Sequence, residues 1–203
     1  MFRAPYTDAP DQDGVRVTPL SELRAMVQAA DRAGLHVTTH AIGDLANEGV
    51  LNVYAAVEQA NGPRDRRFRI EPAQHLVPAD IPRFARQRVI ASVQTYHAID
   101  DGRWAVDRIG TARLAGTYAF RSLIDSGATV TFGSDWPVGP LDALEGIYAA
   151  VTRETLATAT RTAGSPQRKP GSNRRSPPTP SRMPLPVSRT RPLGGSPLGT
   201  WPT

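Results

Sequence analysis

The sequence predicts an α/β fold over residues 1–156, a parallel sheet of about four strands each followed by a helix. Three observations predict it. Short β-branched runs recur at intervals of about 30 to 40 residues. The segments between them carry apolar residues at helical spacing, and polar residues cluster just after each run. Strands separated in this way by helices pair in parallel, with helices covering their faces.

The elements follow in order. Thr18 to Gly34 starts on Thr, has Glu22 in its first turn, places Leu23, Met26, Val27 and Ala30 at helical spacing and stops on Gly, as an amphipathic helix does. LHVTTH then reads as a strand ending in His40, AIGD as a turn, and ANEGVLNVYAAVEQAN as a helix with Val50, Val53, Tyr54 and Val57 on one face. The cycle recurs as FRIE, the loop PAQHLVPAD and the helix DIPRFARQR. It recurs as VIASVQ, a longer loop TYHAIDDGRWAVDRIG and the helix TARLAGTYAFRSLIDSG. The last unit is TVTFG, the loop SDWPVGP and the helix LDALEGIYAAVTRETL.

Parallel strands with right-handed crossovers close into a (β/α)8 barrel or spread into an open doubly wound sheet. Both architectures place ligands just beyond the strands. No Gly-rich phosphate loop follows any strand, which argues against a nucleotide site. Four units make half a barrel and leave two strand edges unpaired, so either the chain is a fragment or it pairs with something, self-association through those edges being one way.

Composition divides the chain in two. All 19 acidic residues lie at or before Glu154 with 16 arginines, a formal charge of −3, and the other 8 basic residues lie beyond it with no acid. The overall +5 therefore belongs to the tail. Ten of the 19 prolines also fall after residue 160, mixed with Gly, Ser, Thr and Arg. Too few apolar residues remain there to offset ordering entropy, so residues 157–203 are expected to be a disordered tail. A basic arm for nucleic acid is one reading of it. A frameshifted translation is preferred, because a GC-rich gene read out of frame yields this mixture and no Lys/Arg run exceeds two; no nucleic-acid partner is expected. With no Cys, a disulfide scaffold and a Cys-based site are excluded, and a reducing compartment fits. No apolar run approaches the roughly 18 residues of a membrane span, and the N-terminus lacks a signal peptide's apolar segment. A soluble, cytoplasmic protein is expected.

The residues that carry chemistry sit at strand ends. His40 alone reads as a hydrogen-bonded structural His, and Asp135 alone as a turn cap. Together at one barrel mouth they are the ligand types of a Zn-like divalent ion. Gln94 and His97 open the donor-rich segment after the third strand, where His97 is placed to orient a substrate carbonyl or to stand in a merely solvated loop. Trp104, Arg108 and Arg113 read as packing and surface residues.

The runs THAIGD, RIE-x-AQ, VIASVQ-x-x-HA-x-DD-x-W and RSLIDSGATVTFGSDWPVGPLDALEGIYAAVTRET together resemble the amidohydrolase superfamily, specifically its third amidohydrolase domain family of metal-dependent hydrolases. The resemblance implies the barrel alternative, a partial (β/α)8 barrel made of its second half. It implies His40 and Asp135 as metal ligands, Asp135 also as general base, and His97 with Gln94 near the substrate. The implied cofactor is a divalent metal, most readily Zn2+. The implied reaction is hydrolysis of a small-molecule amide or N-formyl C–N bond rather than a peptide bond.

Three departures qualify these implications. The family's RIEHAQ reads RIEPAQ here, so a metal-ligand position is occupied by Pro72, which has no ligating atom. His75 is the nearest replacement and requires a rebuilt loop. The family's first-strand HxH pair and bridging Lys or Glu are absent, and the tail stands where a second, β-rich domain would be completed. An incomplete and inactive fragment is therefore expected, with a non-catalytic remnant as the alternative.

Overall fold

A computed structural model describes residues 1–154, all within one compact unit. The expectation of a disordered, out-of-frame tail at 157–203 lies outside the described residues. Four strands, β1 (Thr38–Ala41), β2 (Arg69–Pro72), β3 (Ile90–Gln94) and β4 (Val130–Gly133), form one parallel sheet in the order β1-β2-β3-β4. The outer edges of β1 and β4 have no strand partner among the described residues.

Strand alternation gives the sheet two different faces. Thr39, Ile70, Ala91 and Val130 stand in register on one face, and Ile70, Ala91 and Val93 are buried in the core there. His40 and Glu71 pair on the other face, which also carries Ser92 and Thr131 in register. The first face is covered by α2 (Asp44–Asn61), whose Val50, Val53, Tyr54 and Val57 are buried as the spacing predicts. The Tyr54 hydroxyl lies 2.7 Å from both Thr39 Oγ1 and the Arg69 carbonyl, tying the helix to two strands. Its phenol is pushed above the usual tyrosine range by burial.

Helix α1 (Leu20–Arg32) packs on α2 through Leu23 and Val27, and Gly34 in the left-handed region at φ 80° ends it. Met26, expected on the inward face, is 56% exposed, because the stripe that meets α2 runs through Leu23, Val27 and Asp31. Asp31 is buried in that stripe. It accepts from Asn61 Nδ2 at 2.8 Å and meets Arg64 Nε at 3.0 Å and Arg66 Nε at 3.1 Å. One amide donor and two guanidinium charges thus hold the carboxylate.

A 3-10 turn (Pro78–Asp80) and α3 (Ile81–Arg86) link β2 to β3. The segment after β3, expected as one long loop, is mostly helical: α4 (Thr95–Asp100), a 3-10 turn (Asp101–Arg103) and α5 (Ala105–Ile109). Its Ala98, Ile99, Ala105 and Ile109 are buried despite the polar residues between them. The helix expected over 111–127 is also corrected. A 3-10 stretch (Thr111–Gly116) breaks at Thr117–Ala119 before α6 (Phe120–Asp125). The cause is a backbone contact: Leu76 N donates to Gly116 O at 2.9 Å, and a Cβ at Gly116 would lie 1.7 Å from the Leu76 carbonyl. Only Gly allows that approach. Helix α7 (Ala143–Thr152) follows β4, capped by Asp142, whose carboxylate accepts from Leu144 N at 2.8 Å. No described helix is long and apolar enough to cross a membrane.

Candidate functional site

A cavity of about 440 Å³ opens where the strands end, and four of its walls come from four different elements. His40 in β1, Gln94 at the end of β3, His97 in α4 and Asp135 after β4 all line it. Pro72, the last residue of β2, lines it too. The sequence-predicted residues are therefore brought to one mouth, the place such folds use for ligands.

Asp135 adopts φ 57°, a left-handed conformation that Asp tolerates better than most residues. Its carbonyl accepts from Val138 N at 2.7 Å and Gly139 N at 3.2 Å, which fixes the turn. The carboxylate then meets His97: Asp135 Oδ2 lies 3.1 Å from His97 Nε2. His40 is exposed on the polar face of the sheet, beside Glu71 in register. Gln94 Nε2 donates to Glu71 Oε1, and Gln94 Oε1 is buried without a partner. A buried acceptor left open at a cavity wall is available to a donor from a ligand.

His75 does not replace the position held by Pro72. It is buried, and both ring nitrogens are engaged, Nδ1 at 3.0 Å from Thr117 Oγ1 and Nε2 at 3.1 Å from Gln74 Nε2. Since the Gln74 amide donates, Nδ1 carries the proton and Thr117 passes its own to the Arg113 carbonyl at 3.1 Å. Burial, helped by the Arg113 charge, pushes the imidazole down to about 4, so His75 is neutral near pH 7. Gln74 also donates to Asp101 Oδ2 at 3.0 Å, and the Tyr118 hydroxyl donates to the same oxygen. Burial and that carboxylate push the Tyr118 phenol well above its usual range. Among the described residues, no three His, Cys, Asp or Glu side chains gather closely enough to hold a metal ion.

Sequence reasoning missed the groups that shape the mouth. Asn47 is buried, with Nδ2 between 2.9 and 3.2 Å from the carbonyls of Ala41, Ile42, Gly43 and His75. It anchors the turn after His40 to the loop after Pro72, and only its place in a helical pattern was visible. The N-terminal segment forms another wall through Phe2 and Tyr6. Arg113 holds it by donating to the Ala4 and Pro5 carbonyls at 2.9 Å, and Arg108 pairs with Asp8 at 3.1 Å while lying 4.9 Å from the Tyr6 ring centroid. These arginines fasten a wall of the cavity, and exposed Trp104 borders it.

The chain is 43% identical over 154 residues to Protein LONG AFTER FAR-RED 3 of Arabidopsis thaliana, covering 75% of this chain and 26% of that protein. It is 36% identical over 155 residues to the putative amidohydrolase YtcJ of Bacillus subtilis, covering 76% and 29% respectively. In structure it resembles an uncharacterized metal-dependent hydrolase from Pyrococcus furiosus, with TM-score 0.69 and 29% identity over 77% of this chain and 31% of that one. The chain thus spans less than a third of each of these relatives. The four-stranded sheet is part of a (β/α)8-type barrel. The sequence profile of the Amidohydrolase family matches residues 1–175, and the chain belongs to that family of hydrolases.

Proposed function

We propose that this chain carries the cavity-bearing part of a hydrolase that cleaves amide or N-formyl C–N bonds other than peptide bonds, and that its described residues do not by themselves complete the catalytic centre. One observation supports the reading: His40, Gln94, His97 and Asp135 line a single cavity at the strand ends of an amidohydrolase-family chain.

The family implies a divalent metal, Zn2+ in the first place, which when bound supplies a Lewis acid and an activated water. The residues present do not fit it. His40 and Asp135 are two donors, Pro72 offers none, and both ring nitrogens of His75 are engaged. The Asp135 carboxylate already meets His97. No step through a metal is therefore assigned to this chain. What its own residues offer a small amide-type substrate is orientation, through the open Gln94 Oε1 acceptor and the His97 ring. Pro72 favours the second reading, a non-catalytic remnant that at most binds.

The test measures bound metal and turnover of an N-formyl amide by the 203-residue chain and its Pro72→His variant, each supplied with zinc. The unaltered chain is expected to retain less than one equivalent and to show no turnover. Pro72→His is expected to bind zinc at least about tenfold more tightly, the low end of what loss of even a ligand's hydrogen-bond partner costs. Near-stoichiometric zinc with Asp135-dependent turnover in the unaltered chain overturns the incompleteness. A Pro72→His variant that binds no tighter overturns the placement of the centre.

A further inference from the structure

A second, smaller pocket lies at the other end of the strands from the cavity. Arg64, Arg66 and Arg67 reach it from the segment that leads into β2, Gln87 and Arg88 from the segment that leads into β3, and Glu58 from α2. Both strands are inner ones, so the outer edges of the sheet take no part. The volume is about 20 Å³, room for about one oxygen-sized atom, and exposed Arg67 and Arg88 stand at the rim. The charges around it do not cancel. Arg64 and Arg66 share the single carboxylate of Asp31, Arg67 Nε meets Asp65 Oδ2 at 3.0 Å, and Arg88 Nη2 meets Glu58 Oε1 at 2.9 Å. Four guanidiniums thus face three carboxylates.

Two buried atoms define what would fit. Arg66 is 5% exposed; its Nη2 donates to the Gly62 carbonyl, and its Nη1 has no acceptor among the described residues. A buried donor on a charged group is costly to leave unmet, and an anion supplies both the acceptor and the missing charge. Gln87 narrows the choice, because its Oε1 is buried with no donor among the described residues. A bare anion leaves that oxygen unmet, and a neutral hydroxyl compound leaves the surplus charge. We infer that the pocket binds inorganic phosphate in a hydroxyl-bearing form. One oxygen accepts from Arg66 Nη1, the P–OH donates to Gln87 Oε1, and the remaining oxygens lie at the rim with the guanidiniums of Arg67 and Arg88. The hydroxyl singles out this ion: sulfate has none near neutral pH, and a phosphate monoester loses its own above about pH 6. The inference stands apart from the hydrolytic reading, because the pocket shares no residue with the cavity.

The test titrates the full 203-residue chain at about pH 7.5 with sodium phosphate, sodium sulfate and phenyl phosphate at matched ionic strength. The side-chain nitrogen signals of Arg66 and Gln87 are followed by NMR. Phosphate is expected to move both signals to saturation, and sulfate and phenyl phosphate to bind about fivefold more weakly, the worth of one hydrogen bond. Gln87→Leu, which removes an oxygen that has no donor, is expected to bring phosphate down to the level of sulfate. Arg88→Gln, at an exposed position, is expected to weaken phosphate and sulfate alike, by about two- to fivefold. Circular dichroism checks that both variants fold. Signals that phosphate leaves in place overturn the inference. Equal affinity for phosphate and sulfate in the unaltered chain also overturns it, as does a Gln87→Leu variant that keeps the preference.

Discussion

Acidification should loosen this fold through His75. The imidazole is held neutral at about 4, against an ordinary 6.5, by burial and by the Arg113 charge. A depressed histidine favours the folded state fully above the unfolded value of 6.5, and that contribution fades as pH falls toward 4. At about 1.4 kcal/mol for each tenfold step, the gap corresponds to about 3 kcal/mol below pH 4, of which about 2 kcal/mol is already lost at pH 5. Such a loss is a sizeable fraction of the 5–15 kcal/mol typical of a domain. The consequence is local as well: a charged ring places a second donor against the donating Gln74 amide and strains the contacts with Thr117 and Phe2. Carboxylates such as Asp31 also lose stabilising partners in acid, so the comparison that isolates His75 is with His75→Gln. Urea unfolding of both proteins between pH 7.5 and 5 should show the unaltered chain losing about 2 kcal/mol more than the variant. Parallel profiles would refute the reasoning, because they would mean that the imidazole charges as freely in the folded state as in the unfolded one.

Two further perturbations test the packing that positions the cavity. Asp31→Ala leaves Arg66 buried beside an empty position and should cost about 3–5 kcal/mol in urea unfolding; a cost under about 1 kcal/mol would show that water reaches the pair. Gly116→Ala drives a methyl group into the Leu76 carbonyl and should cost at least about 1–3 kcal/mol, read as a lowered melting temperature, and should move the His75 ring resonances. Unchanged resonances would detach the Leu76–Gly116 contact from the network around His75.

The regular part of the fold was open to inspection because its signals are local. Val50, Val53, Tyr54 and Val57 recur at helical spacing and are buried, and each of the four apolar runs became a strand within a few residues of its expected place. The strands lie slightly later than expected, since β1 begins at Thr38 and β2 extends to Pro72. Residues 95–127 misled for a different reason. Their structure is decided by contacts with partners far along the chain, such as Gly116 on Leu76 and Thr117 on His75, and no periodicity within the segment reports such contacts. Asp31 is the same case: a charged residue on an amphipathic helix reads as solvated, and its two guanidinium partners lie more than 30 residues away.

The mouth was legible as a set of residues, and its wiring was not. His40, Gln94, His97 and Asp135 stand out because strand ends concentrate polar side chains, and all four reach one cavity. Whether such residues act depends on what else occupies their polar atoms. Gln94 is committed through one amide nitrogen to Glu71 and Asp135 is committed to His97, while His40 stands exposed. Removing the His97 ring would therefore release Asp135 without bringing it nearer to His40, because strand order keeps the two on opposite edges of the sheet.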